Sequence, residues 1–241
     1  MENTIINNLF ELWRQASSHS QFLHNTAAYN FAKSNNNSWP SKVFELKESL
    51  VNLQELYSNI KKGTLPNSIS ILENEALEAR LLEHKFILKS TVKGMYLDLQ
   101  KKDKPQNDFS SIEKIDTNSK VIAFAQIASI SFNYEILSST IISLINSSQL
   151  QLFIGKYNGK PVSCGMILLD QNRISGLHMI GTIPEYRGLG LGKVMTQRLL
   201  FEAHENESKQ AVLVASESGE RIYSKLGFIT QGNLKSYSIN K

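Results

Sequence analysis

The chain has 241 residues, of which 41% are hydrophobic, so it is long enough to bury more than one small core. Its net charge of +4 comes from 26 basic and 22 acidic residues scattered along the sequence, without the Lys and Arg blocks typical of nucleic-acid binding. The single cysteine excludes an internal disulfide, and no stretch approaches the ~18 consecutive apolar residues of a membrane span, so we expect a cytoplasmic protein with no nucleic-acid or membrane partner.

Residues 1–100 are predicted to form a smaller α/β domain. Ile5, Leu9 and Trp13 recur on one face of an amphipathic helix over residues 4–16, which indicates core packing. The elements predicted after it are a strand at 43–44, a helix at 46–60, a strand at 68–72, a helix at 74–84 and a closing pair of strands at 86–88 and 95–99. The segment KKDKPQND at 101–108 has no apolar residue and predicts a linker to a second domain at 109–241.

The second domain is predicted to have the order β-α-α-β-β-β-α-β-α-β-β. Its first half comprises a strand at 112–115, helices at 120–132 and 135–146, and strands at 150–157 and 162–169, which the hairpin signal Asn158-Gly159 joins. Its second half comprises a strand at 174–183, a helix from residue 192 onward, a buried strand at 211–215, a helix at 219–226 and a last pair of strands within 228–239.

A glycine-rich corner, Arg187-Gly188-Leu189-Gly190-Leu191-Gly192, lies between the predicted strand at 174–183 and the following helix. Alternating glycines let backbone N–H groups surround an anion, and a helix N-terminus adds partial positive charge. A Walker loop would need Gly at Arg187 and Ser or Thr at Val194, and a dinucleotide fingerprint needs the spacing G-x-G-x-x-G. The corner therefore predicts an anion cradle of a different type.

A second motif, Tyr223-Ser224-Lys225-Leu226-Gly227-Phe228, follows about 35 residues later, and its glycine is typical of a left-handed helix cap. In this order and at this distance, the two motifs resemble motifs A and B of the Gcn5-related N-acetyltransferases (GNAT superfamily). The resemblance implies an α/β (α+β) GNAT acyl-CoA N-acyltransferase fold from about residue 110 to the end. This fold has a central mixed sheet flanked by helices, to which the smaller N-terminal domain is added.

The resemblance also implies that acetyl-CoA is the co-substrate and that an amine attacks its thioester directly in a ternary complex. Tyr223 would protonate the departing thiolate. The pantetheine arm would pair with the backbone of Ile180, Gly181 and Thr182. The diphosphate would lie on the corner, with Lys193 as an added cation, and Ser216 stands where the family often has an Asn that contacts the cofactor. The implied cofactor-binding residues are Ile180, Gly181, Thr182, Arg187, Gly188, Leu189, Gly190, Leu191, Gly192, Lys193 and Ser216.

The general base is less clear, because Gly176 and Ala211 stand at positions where relatives carry a Glu. His178 is the titratable side chain on the strand before the corner, and its unperturbed pKa of about 6.5 suits a base. Glu217 or Glu220 acting through water is the alternative. The other histidines lack metal-ligand spacing, so we expect no metal.

A segment of the N-terminal domain weakly resembles the second motif. In this alignment Leu81 stands at the position of Tyr223 and Lys85 at that of Gly227. Met95 also follows Phe86 by nine residues, as Tyr237 follows Phe228. One hypothesis is that residues 1–100 are a degenerate GNAT-like copy without a cofactor site. The rival is a separate α/β cap that lines the acceptor groove.

Three functions are compatible with these residues. The leading one is N-acetyl transfer to a small-molecule amine or a peptide amine. The alternatives are a non-catalytic CoA-binding sensor or interaction module, and a nucleotide-binding protein. Acceptor identity depends on loops outside the motifs, so the sequence leaves it open, together with the choice between monomer and homodimer.

Overall fold

The computed structural model describes residues 2–240, which form one mixed sheet with helices on both faces. The helices are α1 (Glu2–His19), α2 (Leu53–Lys61), α3 (Glu75–Glu83), α4 (Asn118–Phe132), α5 (Ser138–Leu144), α6 (Leu191–Glu205) and α7 (Glu217–Lys225). The strands are β1 (Leu23–Asn25), β2 (Asn30–Ala32), β3 (Lys42–Phe44), β4 (Ile69–Leu72), β5 (Ile87–Asp98), β6 (Ile112–Lys114), β7 (Leu150–Tyr157), β8 (Lys160–Leu169), β9 (Ile174–Thr182), β10 (Gln210–Ala215) and β11 (Ile229–Ser238).

The strand order is β1-β2-β3-β4-β11-β5-β10-β9-β8-β7-β6. Within the described residues, only β3 with β4 and β9 with β10 pair in parallel, and the other neighbours are antiparallel. The predicted mixed sheet is thus confirmed. Strands from both sides of segment 101–108 belong to it, and the position of a domain boundary there stays a prediction.

The two halves of the chain repeat one arrangement. Strands β1, β2 and β3 form an antiparallel meander, followed by α2, β4, α3 and β5. Strands β7, β8 and β9 form a second meander, followed in the same order by α6, β10, α7 and β11. The last strand of each half crosses over, because β5 pairs with β10 and β11 pairs with β4. The halves are therefore joined by an exchange of strands.

The ends of α3 and α7 are also alike. Lys85 and Gly227 both have left-handed backbones, with φ of 65° and 94°. In each case the next residue closes the helix, since Phe86 N donates to Leu81 O and Phe228 N to Tyr223 O, each at 3.0 Å. The alignment of these two segments in the sequence thus corresponds to matching helix caps.

Several predicted elements differ from the structure. The helix expected from residue 46 begins at Leu53, because Asn52 caps it, with Asn52 Oδ1 accepting from Glu55 N. Leu50 is 55% exposed and lies outside this helix, so its match to the helical spacing of apolar residues was coincidental. Each predicted closing pair of strands is a single strand, β5 or β11. Gly232, with a φ of 75°, lies at an irregularity in the pairing of β11 with β5, and the strand continues through it.

Helix α1 packs into the core as expected, with Ile5, Leu9 and Trp13 buried. It shares an apolar cluster with α4, α5 and one face of the sheet, whereas α6 and α7 cover the other face. A hydrogen bond also joins α1 to β9, since His178 Nε2 donates to Asn8 Oδ1 at 2.8 Å. A Cβ at Gly176 would lie 1.7 Å from Asn8 Oδ1. The side chain of Asn8 therefore occupies the space that a carboxylate at position 176 would need.

Gly176→Ala is expected to destabilise the protein by about 1–3 kcal/mol, the usual cost of overpacking a core. Asn8→Ala removes the nearer clash and leaves the one with His178 Nε2 at 2.3 Å. The double variant Asn8→Ala/Gly176→Ala should therefore lose less stability than the two single variants added together. Urea denaturation of the four proteins of this cycle measures the coupling. Gly192→Ala, whose Cβ would meet only Ile222 Cδ1 at 3.7 Å, is the control. Strict additivity would contradict this packing of α1 on β9.

Candidate functional site

Strand β9 diverges from β10 after a short parallel pairing. Only Ile174, Ser175 and Gly176 have partners on β10. Beyond them β9 follows β8 alone, with a register shift between His178 and Gly181 and a left-handed backbone at Met179, φ 51°. Cys164 Sγ donates to Met179 O at 3.3 Å, and burial raises the pKa of this thiol to about 12, so it stays protonated. A gap consequently opens between Ile180, Gly181 and Thr182 and the end of β10.

The glycine corner lies at the outer end of this gap. Gly188 and Gly190 have φ of 82° and 79°, and nothing lies within 4 Å of where a Cβ on either would stand. Gly190 caps α6, so the N–H groups of Leu191, Gly192 and Lys193 occupy its first turn, where an α-helix leaves its N–H groups without internal partners. The corner is exposed and open, as an anion cradle requires.

Arg187 supports the corner rather than pointing away from it. Its Nε donates to Thr182 O and its Nη2 to Ser131 O, both at 3.1 Å. The guanidinium thus ties the loop to the end of β9 and to α4. Lys193 is exposed on the first turn of α6, and Leu189 is exposed on the loop.

A cavity of about 460 Å³ lies at the inner end of the gap. It brings together four of the residues singled out from the sequence, which are His178, Ile180, Ser216 and Tyr223. The residues of the glycine corner do not line it. The first half of the chain contributes a large part of its wall, which consists of Leu9, Leu12, Trp13, Asn37, Trp39, Ser41, Lys42, Ser90 and Val92.

Tyr223 and Ser216 lie at the two ends of α7. Tyr223 is 8% exposed, its ring centroid is 5.9 Å from that of Phe228, and burial raises the pKa of its hydroxyl to about 12. Ser216 Oγ accepts from Gly219 N at 3.2 Å and so caps the helix. The cavity therefore contains a phenol that stays protonated at neutral pH.

His178 is the buried imidazole of the cavity. Because its Nε2 donates to Asn8, Nδ1 is the nitrogen with a free lone pair in the neutral ring. Burial lowers its pKa from 6.5 to about 3, so the ring is neutral at physiological pH. Glu217 and Glu220 do not line the cavity, and Glu220 pairs with Lys93 at 2.6 Å.

The sequence interpretation missed the contribution of the first half to this site. The sequence pattern places Trp13 in the core and indicates no role for Trp39 or Lys42. Their only signal was a Trp-Pro-Ser-Lys run ahead of a short strand, which is too weak to indicate a site. Their place on the cavity wall depends on pairings of distant strands.

Within residues 2–240, no three His, Cys, Asp or Glu side chains group in a way that could hold a metal ion. No helix in this range has the length and hydropathy needed to cross a bilayer.

Comparison with known proteins identifies the second half of the chain. Residues 123–237 match the family model of the acetyltransferase (GNAT) domain. The uncharacterized N-acetyltransferase YitH of Bacillus subtilis (strain 168) is 32% identical over 107 residues, which is 44% of this chain. The match spans 30% of the length of that relative.

Solved structures show the same fold over most of the chain. A GCN5-related N-acetyltransferase from Kribbella flavida superposes with a TM-score of 0.66 at 17% identity, covering 95% of both chains. A GCN5-related N-acetyltransferase from Sphaerobacter thermophilus gives a TM-score of 0.59 at 12% identity, covering 81% of this chain and 71% of the other. The motifs and the family model agree that residues 123–237 form a GNAT acetyltransferase domain, and the solved structures show the same fold.

Proposed function

We propose that the protein transfers an acetyl group from acetyl-CoA to a primary amine by direct attack in a ternary complex, with Tyr223 as general acid. The observation that carries this proposal is the gap between β9 and β10. It runs from the open glycine corner, which suits a diphosphate, to a cavity that contains Tyr223 and His178. Backbone groups of Ile180, Gly181 and Thr182 along the gap are the proposed partners of the pantetheine arm and of the thioester carbonyl.

The transfer would form one bond and break one. The amine nitrogen attacks the thioester carbon, the C–S bond breaks, and the amine gives up a proton while the sulfur gains one. A thiol has a pKa of about 8.5, far below the value of about 12 for Tyr223, so complete proton transfer from this phenol is uphill. Tyr223 therefore acts mainly by hydrogen bonding to the sulfur as charge develops on it, with transfer of the proton late.

His178 is the proposed acceptor of the amine proton, because it lines the cavity and Glu217 and Glu220 do not. Nδ1 would take the proton while Nε2 holds Asn8. With a pKa of about 3, this imidazole is a weak base, and a lysine-like ammonium has a pKa of about 10.4. Activity should accordingly follow the neutral fraction of the acceptor amine as pH rises.

The first half of the chain has a proposed role as the acceptor wall. We infer that it is a degenerate copy of the GNAT arrangement, since its elements repeat the order of the second half and its α3 ends like α7. Leu81 stands in place of Tyr223, and no glycine corner precedes α2, so this half would bind no cofactor. Its function would be to shape the acceptor cavity.

A non-catalytic CoA-binding sensor is the second candidate. Two observations favour it, namely that no carboxylate of the described residues lines the cavity and that His178 is a weak base. The acetyltransferase and the sensor would both bind CoA at the glycine corner and in the gap, so they differ only in whether an acetyl group is transferred.

Tyr223→Phe separates these candidates. The phenylalanine ring keeps the contact with Phe228 but removes the hydroxyl, so kcat should fall by roughly 10²- to 10⁴-fold while the Kd for CoA stays the same. Thiol release and calorimetry measure the two quantities. Tyr157→Phe, at a tyrosine outside the cavity, is the control. A wild-type protein that binds CoA but releases no thiol with any amine would support the sensor.

Gly190→Ala tests the anion cradle against a matched change elsewhere. Gly190 and Gly63 have φ of 79° and 75° and open space around a Cβ, so alanine at either should cost about 1–2 kcal/mol of stability. Only Gly190→Ala should weaken CoA binding, by about tenfold or more, because its methyl group enters the cradle. Equal CoA affinity of the two variants by calorimetry would place the diphosphate elsewhere.

His178→Gln tests the neutral imidazole. The unfolded chain binds a proton at His178 below pH 6.5 and the folded protein does not, so the free energy of unfolding falls as pH drops below 6.5. At pH 5.5 this loss is about 1 kcal/mol relative to pH 7.5. Urea denaturation at both values should show a smaller loss in His178→Gln. The same loss in both proteins would mean that His178 is protonated in the folded state.

A further inference from the structure

The charges around the cavity are unbalanced. Of the described residues that line it, Lys42 is the one that carries a positive charge near neutral pH, and none is Asp or Glu. A cavity for an acceptor rich in amines would be expected to offer carboxylates. This wall instead offers a cation and several hydroxyl groups.

Lys42 lies in β3 and has no counter-ion in the part of the chain that the structure describes. None of the ion pairs among residues 2–240 includes it. Its Nζ donates to Ser68 Oγ at 3.2 Å and lies 5.2 Å from the ring centre of Trp13. Burial lowers its pKa to about 8, and an anion beside it would restore the protonated form. A desolvated cation held by a hydroxyl group and an aromatic face is only partly compensated.

Ser41, the residue before Lys42, supplies a second polar group with unused hydrogen-bonding capacity among the described residues. Ser41 lines the cavity, and its buried Oγ has no hydrogen-bond partner within residues 2–240. Trp13 and Trp39 provide apolar surface next to it. The wall built by the first half therefore combines an unpaired cation, an unpaired donor and two indole rings.

Resting on the proposed acetyltransferase function, we propose that the acceptor is an amine that also carries a carboxylate, as an amino acid does, with the carboxylate held by Lys42 Nζ and Ser41 Oγ. One cation balances one negative charge, whereas phosphate sites usually add an arginine fork or a helix N-terminus. The apolar part of the acceptor packs against Trp13 and Trp39. Lys42 is thus a specificity-determining residue, and the acetylated nitrogen is the one facing Tyr223.

The test compares three acceptors that differ in one group, which are L-phenylalanine, 2-phenylethylamine and 1-amino-2-phenylethylphosphonate. Thiol release from acetyl-CoA gives kcat and KM. The wild type should use the amino acid at least about tenfold better than the plain amine. Lys42→Met should raise KM for L-phenylalanine by roughly 10- to 100-fold, as expected for a lost charged hydrogen bond, and leave 2-phenylethylamine unaffected.

Lys89→Met, at an exposed lysine outside the cavity, is the matched control and should change neither constant. Ser41→Ala is the second variant and should raise KM for L-phenylalanine less than Lys42→Met does. A fall in kcat on all three acceptors in Lys42→Met would overturn the proposal in favour of a proton-transfer role. Preference for the phosphonate would overturn it in favour of a phosphate site.

A binding measurement keeps the test independent of turnover. N-acetyl-L-phenylalanine should raise the Tm of the wild type and of Lys89→Met but not of Lys42→Met, and N-acetyl-2-phenylethylamine should act equally on all. No shift with the carboxylate, or the same shift in Lys42→Met, overturns the carboxylate site. If acetyl-CoA does not stabilise the wild type, the proposed function fails instead, and the carboxylate site is judged by this measurement alone.

Discussion

The divergence of β9 from β10 is the constraint on which the site depends. The two strands pair only as far as Gly176, where Asn8 from α1 approaches the backbone so closely that no side chain fits. Beyond it, the left-handed backbone of Met179 keeps β9 on β8 and turns it away from β10. The gap, the cavity at its inner end and the position of the glycine corner all follow from this separation.

The exchange of β5 and β11 explains how the first half of the chain takes part in the site. Each of these long strands pairs with the other and with a strand of the opposite half. Separating the halves would leave several unpaired sheet edges, which is unfavourable. The wall that carries Trp13 and Lys42 is therefore held against Tyr223 and His178 by the sheet itself.

Burial moves every titratable group of the cavity wall discussed above toward its uncharged form. It raises the pKa of Tyr223 and lowers the pKa values of His178 and Lys42, as expected where water is excluded. The site therefore offers a neutral acid and a neutral base, and among the described residues its cation is stabilised by Ser68 and Trp13. An acceptor that brings its own negative charge would complete the electrostatics of this cavity.

Local features could be predicted from the sequence because neighbouring residues produce them. The hairpin at Asn158-Gly159 and the cap at Gly227 occur where their residues indicated, and the glycine corner lies between a strand and a helix as its pattern required. The single long strands β5 and β11, the contact of Asn8 with Gly176 and the place of Lys42 in the cavity wall could not be predicted. They depend on pairings between residues more than a hundred positions apart, such as Tyr96 with Ile229, and neither propensity nor periodicity carries that information.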